Sequence, residues 1–439
     1  MTASARWPLR LAMGFLAAAA LFALALLPVA PARAALIIVT NTNDSGPGSL
    51  RQAIADAAPQ TGIIIDNSLA GQTINLQTAL IVDKQMSIEG PGAPAARVKL
   101  TTQGRDSIMI ISALTNIHDL DFNNGAAENG GAIQITNYTQ LSNTTISNSH
   151  ASGDGGGIWV APHASFILDD ALVLDNTAGG DGAGIFAGDT SVIDMSNVNF
   201  TGNNATGRGG GIFADTVSTV EVQSGSVIGN VAASGGGIYS DGNIGYYGTI
   251  ASNGATADGG GIYLNSGLFN LNLGTLGSNT ANRGGGVFAQ PGTELDLIFS
   301  TISNNGAPQG GGIYRAGGLL DTRASIIGDQ QLGADCVGEP GSTIASGGYN
   351  IDSDNSCGLV NPTDIPAGHP NLGPMTFTSP GTTQTMTPMQ GSDAINRIPL
   401  SVFECDSHLQ RDQNGVTRPL GPSCDIGAVE APSATSGRK

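Results

Sequence analysis

Charged residues, and positive ones above all, are scarce in this chain of 439 residues. Only 12% of the residues are charged, and 17 lysines and arginines stand against 35 aspartates and glutamates, which gives a formal net charge of −18. Lysine occurs only as Lys84, Lys99 and Lys439. Because nucleic acids and anionic lipids are held by clusters of lysine and arginine, this composition excludes nucleic-acid binding.

Patterns of long helices are missing as well. The chain holds 65 glycines and 21 prolines, and each glycine inside a helix costs about 1 kcal/mol relative to alanine. Coiled coils and helical bundles are therefore excluded. The glycines come in short runs rather than at every third position, which excludes collagen. Since 40% of the residues are hydrophobic, the chain can still bury a substantial core.

The first 34 residues have the order of an export signal. Arg6 and Arg10 precede an apolar run from Leu11 to Leu27, and Ala32-Arg33-Ala34 follows. This order predicts a signal peptide over residues 1–34 that is cleaved after Ala34; an uncleaved membrane anchor is the alternative. After signal removal we expect no membrane span, and we expect the protein to be secreted or located on the cell surface.

A repeat of about 26 residues is the main feature of the remaining sequence. A Gly-Gly-Gly-Ile type tetrad recurs at intervals of 24 to 27 residues and ends in a β-branched aliphatic residue. An asparagine precedes this residue by eight to ten positions in each unit. Two columns in fixed phase indicate one structural unit per repeat. The aliphatic residues are Ile133, Ile158, Ile185, Ile212, Ile238, Ile262, Val287 and Ile313, and the asparagines are Asn124, Asn148, Asn176, Asn203, Asn230, Asn253, Asn279 and Asn305.

Short alternating runs within each unit predict an all-β fold. Thr219–Val222 and Leu295–Ile298 are examples, separated from their neighbours by Gly, Asn and Ser. The pattern of leucine-rich repeats is missing, and helical repeats need longer units. We therefore predict a single-stranded parallel β-helix with coils about 4.8 Å apart, regular over residues 121–330 and irregular over residues 35–120. The aliphatic column should lie inside, and the asparagine column should pass hydrogen bonds from coil to coil.

The ends of this stack need covering, because open strand edges invite association. Ser49–Ala58 has helical spacing, with Leu50, Ala53 and Ile54 on one side and Ser49 as N-cap. We predict a cap helix over the N-terminal end; an ordinary surface helix is the alternative.

The four cysteines fall within the predicted C-terminal region, residues 331–430. An even count in an exported chain favours disulfides, whereas zinc binding lacks a C-x-x-C pair. Three pairings of Cys336, Cys357, Cys405 and Cys424 are possible, and sequence proximity favours Cys336–Cys357 with Cys405–Cys424. We expect residues 331–430 to form further coils and a disulfide-bonded cap, and residues 431–439 to be a disordered tail.

Several segments resemble known families of exported bacterial proteins. Val39–Asp44 with Gly48–Ile54 resembles the N-terminal motif C-S-L-R-E-A-I, with Gly48 in place of the cysteine and Gln52 in place of the glutamate. The tetrads and Phe200–Asn203 resemble the repeats of the chlamydial polymorphic outer-membrane proteins. The C-terminal third is similar to the choice-of-anchor Q family. The segments that carry this last similarity are Ser346–Asp354, Asn371–Pro374, Ser392–Ile395, Asp412–Pro419 and Cys424–Ala428. These resemblances imply a right-handed, pectin-lyase-like β-helix and imply no activity.

An aromatic residue follows the aliphatic one in every unit but the first, which has Gln134. Because neighbours on a strand point to opposite faces, we predict an outward column. Two interpretations stay open: the rings stabilise the stack, or they form a platform for a glycan or a protein partner. The column comprises Trp159, Phe186, Phe213, Tyr239, Tyr263, Phe288 and Tyr314.

Catalytic and metal-binding patterns are weak. Asp169-Asp170 is an isolated acidic pair, and Asp352–Ser356 begins like a calcium loop but has Cys357 in place of the required Gly and Thr363 in place of the Glu. We therefore predict no catalytic, cofactor-binding or metal-binding residues.

The predicted function is a monomeric, non-catalytic binding or adhesion rod, with a polysaccharide or surface protein as partner. A polysaccharide lyase or glycoside hydrolase on this fold is the first alternative, and a structural envelope component is the second.

Overall fold

Stacked parallel strands build nearly the whole chain that the structure describes. The structure is a computed structural model, and it describes residues 36–405 and 411–432. The predicted signal peptide and residues 433–439 of the predicted tail lie outside the described residues. Each coil pairs with the next in parallel and in register. The predicted parallel β-helix is confirmed.

One wall of the β-helix, here called the tetrad sheet, contains the aliphatic column. Ile158 lies opposite Ile185, which in turn lies opposite Ile212, and all three are fully buried. The aliphatic residues therefore form the inner column that the repeat predicts. The strands of the tetrad sheet are Leu80–Val82, Met109–Ile111, Ile133–Ile135, Ile158–Val160, Ile185–Ala187, Ile212–Ala214, Ile238–Ser240, Ile262–Leu264, Val287–Ala289, Ile313–Arg315 and Cys336–Gly338.

The other main sheet turns a corner within each coil and so forms two flanks. In each coil, the strand before the corner belongs to the first flank and the strand after the corner belongs to the second flank. Where one longer strand bends at the corner, its first part belongs to the first flank and the rest to the second. The strands in chain order are Leu36–Val39, Thr61–Ile65, Thr73–Asn75, Met86–Glu89, Val98–Thr101, Thr115–His118, Leu120–Asn123, Thr139–Ser147, Ser165–Leu174, Val192–Thr201, Thr219–Val222, Gly225–Ile228, Asn243–Tyr246, Thr249–Ala251, Leu268–Asn272, Thr275–Gly277, Glu294–Ile298, Thr301–Ser303, Leu319–Arg323, Ile326–Gly328, Thr343–Gly348, Ile351–Asp352 and Ile365–Pro366.

Smaller elements complete the coils. A short sheet of two-residue strands lies between the second flank and the tetrads, and an antiparallel pair joins Thr376–Phe377 to Gln384–Thr385. Asn67–Leu69 and Pro94–Ala96 are 3₁₀ turns. The strands of the short sheet are Ala126–Ala127, His150–Ala151, Thr177–Ala178, Asn204–Ala205, Val231–Ala232 and Gly254–Ala255.

The asparagine ladder exists but starts later than the sequence suggests. The Oδ1 atom of Asn203 accepts hydrogen bonds from the backbone N–H and the side-chain amide of Asn176, at 3.1 and 3.0 Å. The same pattern runs from Asn176 to Asn305, where Gln330 continues it. Asn124 and Asn148 are instead corner residues with φ of 60° and 53°. In their coils the ladder position falls one residue later, at Gly125 and Ser149.

The tetrad glycines are required by both conformation and space. Gly235 begins its tetrad at a φ of 62°, a region that other residues rarely adopt. A Cβ atom on the following Gly236 would lie 2.4 Å from the carbonyl oxygen of Gly254 in the next coil. Glycine therefore allows the coils to approach closely at this corner.

The predicted cap helix forms at the N-terminal end. Helix α1 spans Leu50–Asp56, and the hydroxyl of Ser49 accepts from the N–H of Gln52 at 3.2 Å. Leu50, Ala53 and Ile54 are buried against the first strands of the stack. Within the described ranges, no helix has the length and apolar composition needed to cross a membrane.

Both predicted disulfides are present, Cys336–Cys357 and Cys405–Cys424. Cys336 occupies the aliphatic position of the tetrad sheet in its last strand, opposite Ile313. The segment that follows the coils lies along the outside of the second flank. Gln413 accepts a hydrogen bond from the Thr275 hydroxyl at 2.6 Å, and the N–H of Ala428 donates to the Thr301 hydroxyl at 3.1 Å.

Candidate functional site

Six of the seven rings of the predicted aromatic column form a continuous stack on the outer face of the tetrad sheet. From Phe186 to Tyr314, successive ring centroids lie 4.8 to 5.3 Å apart, and the rings are nearly parallel. The register of the strands imposes this spacing, because each ring follows an aliphatic residue paired with its counterpart in the next coil. Trp159 lies in register with Phe186 on one side and Gln134 on the other.

Most of the ring surface is used within the column itself. Phe213, Tyr239, Phe288 and Tyr314 are at most 5% exposed. Trp159, Phe186 and Tyr263 are half-buried, so their edges reach solvent. Most of the ring surface is therefore buried, and the aromatic surface left to solvent belongs mainly to these three residues.

Two arginines cover the faces and edges of the column. The guanidinium carbon of Arg208 lies 4.7 Å from the ring centroid of Phe213 and 4.8 Å from that of Tyr239. Its Nη2 atom is 2.6 Å from Asp181. Arg283 repeats the arrangement over Phe288 and Tyr314, with Asp258 at 2.6 Å.

These arginines add a charged border to the column. The hydrogen bonds that Arg283 donates to Asp258 raise the pKa of Arg283, and both border groups stay charged at any physiological pH. Cation–π contacts of this kind contribute about 0.5–1 kcal/mol at exposed sites. Sequence analysis missed the pattern because the arginines precede their rings by five residues on a loop, and their partners Asp181 and Asp258 belong to the preceding coil.

The tyrosine hydroxyls are also engaged. Tyr263 accepts a hydrogen bond from the side-chain amide of Gln290 at 2.5 Å. Tyr314 donates to Glu339, and Tyr239 accepts from Arg208 at 3.4 Å. At the N-terminal end, Gln134 donates to the Ser107 hydroxyl and to the Asn129 carbonyl, at 3.1 and 2.8 Å.

A second feature, an acidic column, lies on the outer face of the first flank. Asp194 pairs in register with Glu221, and further along Asp296 pairs with Asp321. Burial, with the nearby carboxylates of Glu294 and Asp321, raises the pKa of Asp296 to about 7. The isolated Asp169-Asp170 pair does not join this column, because Asp169 pairs with Ser196 and Asp170 is a corner residue with a φ of 49°.

Comparison with known proteins gives one family match. Residues 197–215 match the Chlamydia polymorphic membrane protein (Chlamydia_PMP) repeat. This segment contains Asn203 of the ladder, the tetrad before Ile212, and Phe213 of the aromatic column. No curated protein and no solved structure matches the chain. The match shows that at least one coil of this β-helix is similar to the repeats of that membrane protein family.

Proposed function

We propose that the protein is a surface-associated β-helix that binds a glycan or a surface partner through its aromatic column, without catalysis. The match to a membrane protein repeat and the signal-peptide pattern support the surface location. The column that runs along the outer face from Trp159 to Tyr314 supports the binding role.

The partly exposed ring edges carry this proposal. Trp159, Phe186 and Tyr263 are only half-buried, and Phe186 and Tyr263 stack on Phe213 and Phe288, the rings that Arg208 and Arg283 contact. Sites that bind sugars and peptides combine an aromatic surface with a few convergent polar groups. Rings fixed by stacking lose little conformational entropy when a ligand binds, which favours affinity.

A glycan array probed with the oxidised, mature chain tests the proposal. The variants Trp159→Ala and Tyr263→Ala, once circular dichroism has shown that each is folded, should reduce retention of the bound glycan at least tenfold. Phe377→Ala is the control, because this ring lies outside the column and is 65% exposed, so its loss should leave folding and retention unchanged. Full retention by both variants would contradict a role of the column in binding, and retention of no glycan by the parent chain would favour the structural envelope component.

A glycoside hydrolase is the second candidate, and one observation favours it. Asp296 and Asp321 are neighbours on adjacent coils, and the pKa of Asp296 is raised to about 7. Glycosidases use two carboxyl groups, of which the acid has a raised pKa. Release of reducing ends from a polysaccharide panel, abolished by Asp296→Asn but not by Asp194→Asn, would support the hydrolase.

A further inference from the structure

Three carboxylates meet where the last strand of the tetrad sheet lies beside the second flank. Asp335 directly precedes Cys336, and Asp352 ends the strand Ile351–Asp352. One oxygen each of Asp335, Asp352 and Asp354 lies within 4.8 Å of the others. Asp335 and Asp352 are buried and Asp354 is exposed, so the cluster opens to solvent on one side.

Asp352 contains a buried oxygen without a hydrogen-bond donor. Its side chain is 0% exposed. Its Oδ2 atom accepts from the backbone N–H of Cys357 at 2.8 Å, whereas its Oδ1 atom has no partner. A buried carboxylate oxygen without a donor is costly, and here its neighbours are two more carboxylates.

The other two carboxylates are held rigidly by the surrounding backbone. The Oδ2 atom of Asp335 accepts from the N–H and the hydroxyl of Ser353, at 2.8 and 2.6 Å. Asp354 accepts from the N–H groups of Asp335 and Ser356, at 3.1 and 3.0 Å. Among the ion pairs that the described residues form, none brings a cation to this cluster. The Oδ2 atom of Asp335 also accepts from the N–H of Asp354 at 3.1 Å, whereas the Oδ1 atom of Asp352 accepts no hydrogen bond and is available to a ligand.

We propose that Asp335, Asp352 and Asp354 bind a calcium ion beside the Cys336–Cys357 disulfide. Calcium takes six to eight oxygen ligands at about 2.3–2.6 Å in flexible geometry. Three carboxylates supply part of this set, and water reaches the remaining positions through the side at Asp354. A set of oxygen ligands alone favours calcium, magnesium or manganese over zinc and copper. Magnesium demands a stricter octahedron and dehydrates reluctantly, which favours calcium for a partly buried site.

The charges of the cluster are consistent with this assignment. One oxygen of each carboxylate lies within 4.8 Å of the others, so the three groups repel one another when they are ionised. A divalent cation neutralises the same repulsion. The ion would connect the turn at residues 352–357 to the end of the tetrad sheet, at the point where the regular coils stop. The sequence shows Asp352–Ser356 as the start of a calcium loop but gives no sign of Asp335, which lies 17 residues before Asp352.

Calorimetric titration of the mature, oxidised chain with calcium chloride, after removal of metal with EDTA, tests the site. We expect one ion per chain and a Kd in the range of about 10⁻⁴ to 10⁻³ M, as in extracellular calcium modules. Thermal unfolding should shift upwards by a few degrees in about 10 mM calcium relative to EDTA, and magnesium should give a smaller shift. No saturable heat and no change in Tm with calcium would overturn the proposal.

Two variants separate a calcium ligand from a structural carboxylate. Asp354→Asn, at the exposed position, should weaken calcium binding at least tenfold. Asp352→Asn should raise the Tm in EDTA, because its amide removes one like charge and can donate to Asp354, and it should abolish the rise with calcium. Asp83→Asn, an exposed carboxylate in the N-terminal coils, is the control and should keep the full response. A full calcium response in Asp352→Asn would overturn the proposal.

Discussion

Asn203 connects its coil to both neighbours through one short side chain. Its Oδ1 atom accepts two hydrogen bonds from Asn176. Its Nδ2 atom donates to the carbonyl of Val173 and to the side chain of Asn230, both at 2.9 Å. Since Asn203 is fully buried, no water can replace these partners. From Asn176 to Asn305 the ladder uses asparagine, which offers an acceptor and two donors in one short side chain.

Replacing Asn203 with alanine should destabilise the β-helix by about 2–4 kcal/mol. The change leaves the backbone N–H of Asn176 and the Val173 carbonyl buried without partners, and each such group costs about 1–3 kcal/mol. Equilibrium unfolding in guanidinium chloride measures the loss. Asn204→Ala is the matched control, because the neighbouring side chain is exposed and its removal should cost under about 0.5 kcal/mol. Equal stability of the two variants would contradict the ladder's role.

Asp296 should make stability fall as the pH rises. Its pKa is raised from 3.8 to about 7 in the folded chain by burial, by Glu294 and by Asp321, with Arg323 opposing. The folded state therefore holds a proton that the unfolded state has lost, and the free energy of unfolding decreases between pH about 4 and about 7.

Asp296→Asn removes this dependence. At pH 8 the variant should be more stable than the parent by about 1–2 kcal/mol, a value reduced for the partial exposure of the side chain, and at pH 4 the two should be equal. Thermal unfolding at both pH values is the measurement. Asp83→Asn should change neither value, and a destabilised Asp296→Asn at pH 8 would contradict the prediction.

At the scale of elements, the aromatic column lies on the outer face of the tetrad sheet, opposite the aliphatic column on its inner face. Both columns come from adjacent positions of the same strands, so register fixes both together. Each of the tetrad strands is short, and its stability depends on contacts with the coils before and after it. Stacked pairs contribute about 0.5–1.5 kcal/mol beyond the burial of their surface.

Phe288→Ala should destabilise the chain by about 3–5 kcal/mol. The ring is 1% exposed, stacks on Tyr263 and Tyr314, and lies under the guanidinium of Arg283. Phe377→Ala is the control, since this ring is 65% exposed and its loss should matter little. Chemical unfolding of both variants measures the loss in the free energy of unfolding. A loss below about 1 kcal/mol for Phe288→Ala would show that the column does not stabilise the chain.

Periodicity predicted the elements that repeat and failed for those that do not. One spacing repeated over many coils predicts both the aliphatic column of Ile158 and its equivalents and the column of stacked rings. The ladder position of Ser149 was misassigned because asparagine also suits left-handed corners such as Asn148. The meeting of Asp296 with Asp321, and of Asp335 with Asp352, depends on how coils of unequal length align, which no local pattern encodes.

For the molecule as a whole, the C-terminal segment is held beside the stack by a buried charge network. Arg418 is fully buried, forms an ion pair with Glu430 at 2.7 Å, and donates to the carbonyls of Asp425 and Gly427. Its guanidinium carbon lies 4.6 Å from the ring centroid of Phe299, a residue of the coils. The sequence marked Asp412–Pro419 and Cys424–Ala428 as distinctive segments, and the structure shows that they pack on the second flank.

Arg418→Met should cost about 3–5 kcal/mol, because it leaves Glu430 buried and unpaired. Hydrogen exchange should show lost protection over residues 411–432, with the coils before residue 222 unchanged. Arg418→Met combined with Glu430→Leu should regain part of the stability. Arg397→Met, which breaks an exposed pair with Asp393, should have almost no effect; unaltered protection in Arg418→Met would contradict the prediction.

The C-terminal segment contacts the second flank of some coils and leaves the second flank of others uncovered. It contacts the second flank at Thr249, Thr275 and Thr301, whereas the equivalent Leu172 of an earlier coil is 45% exposed. An additional 27-residue unit inserted between Ile158 and Ile212 would thus contact the coils on either side of it and not the C-terminal segment. Duplication or deletion of coils there would lengthen or shorten the protein while every contact of the C-terminal segment stayed in place, so its length is free to vary during evolution and in engineered chains.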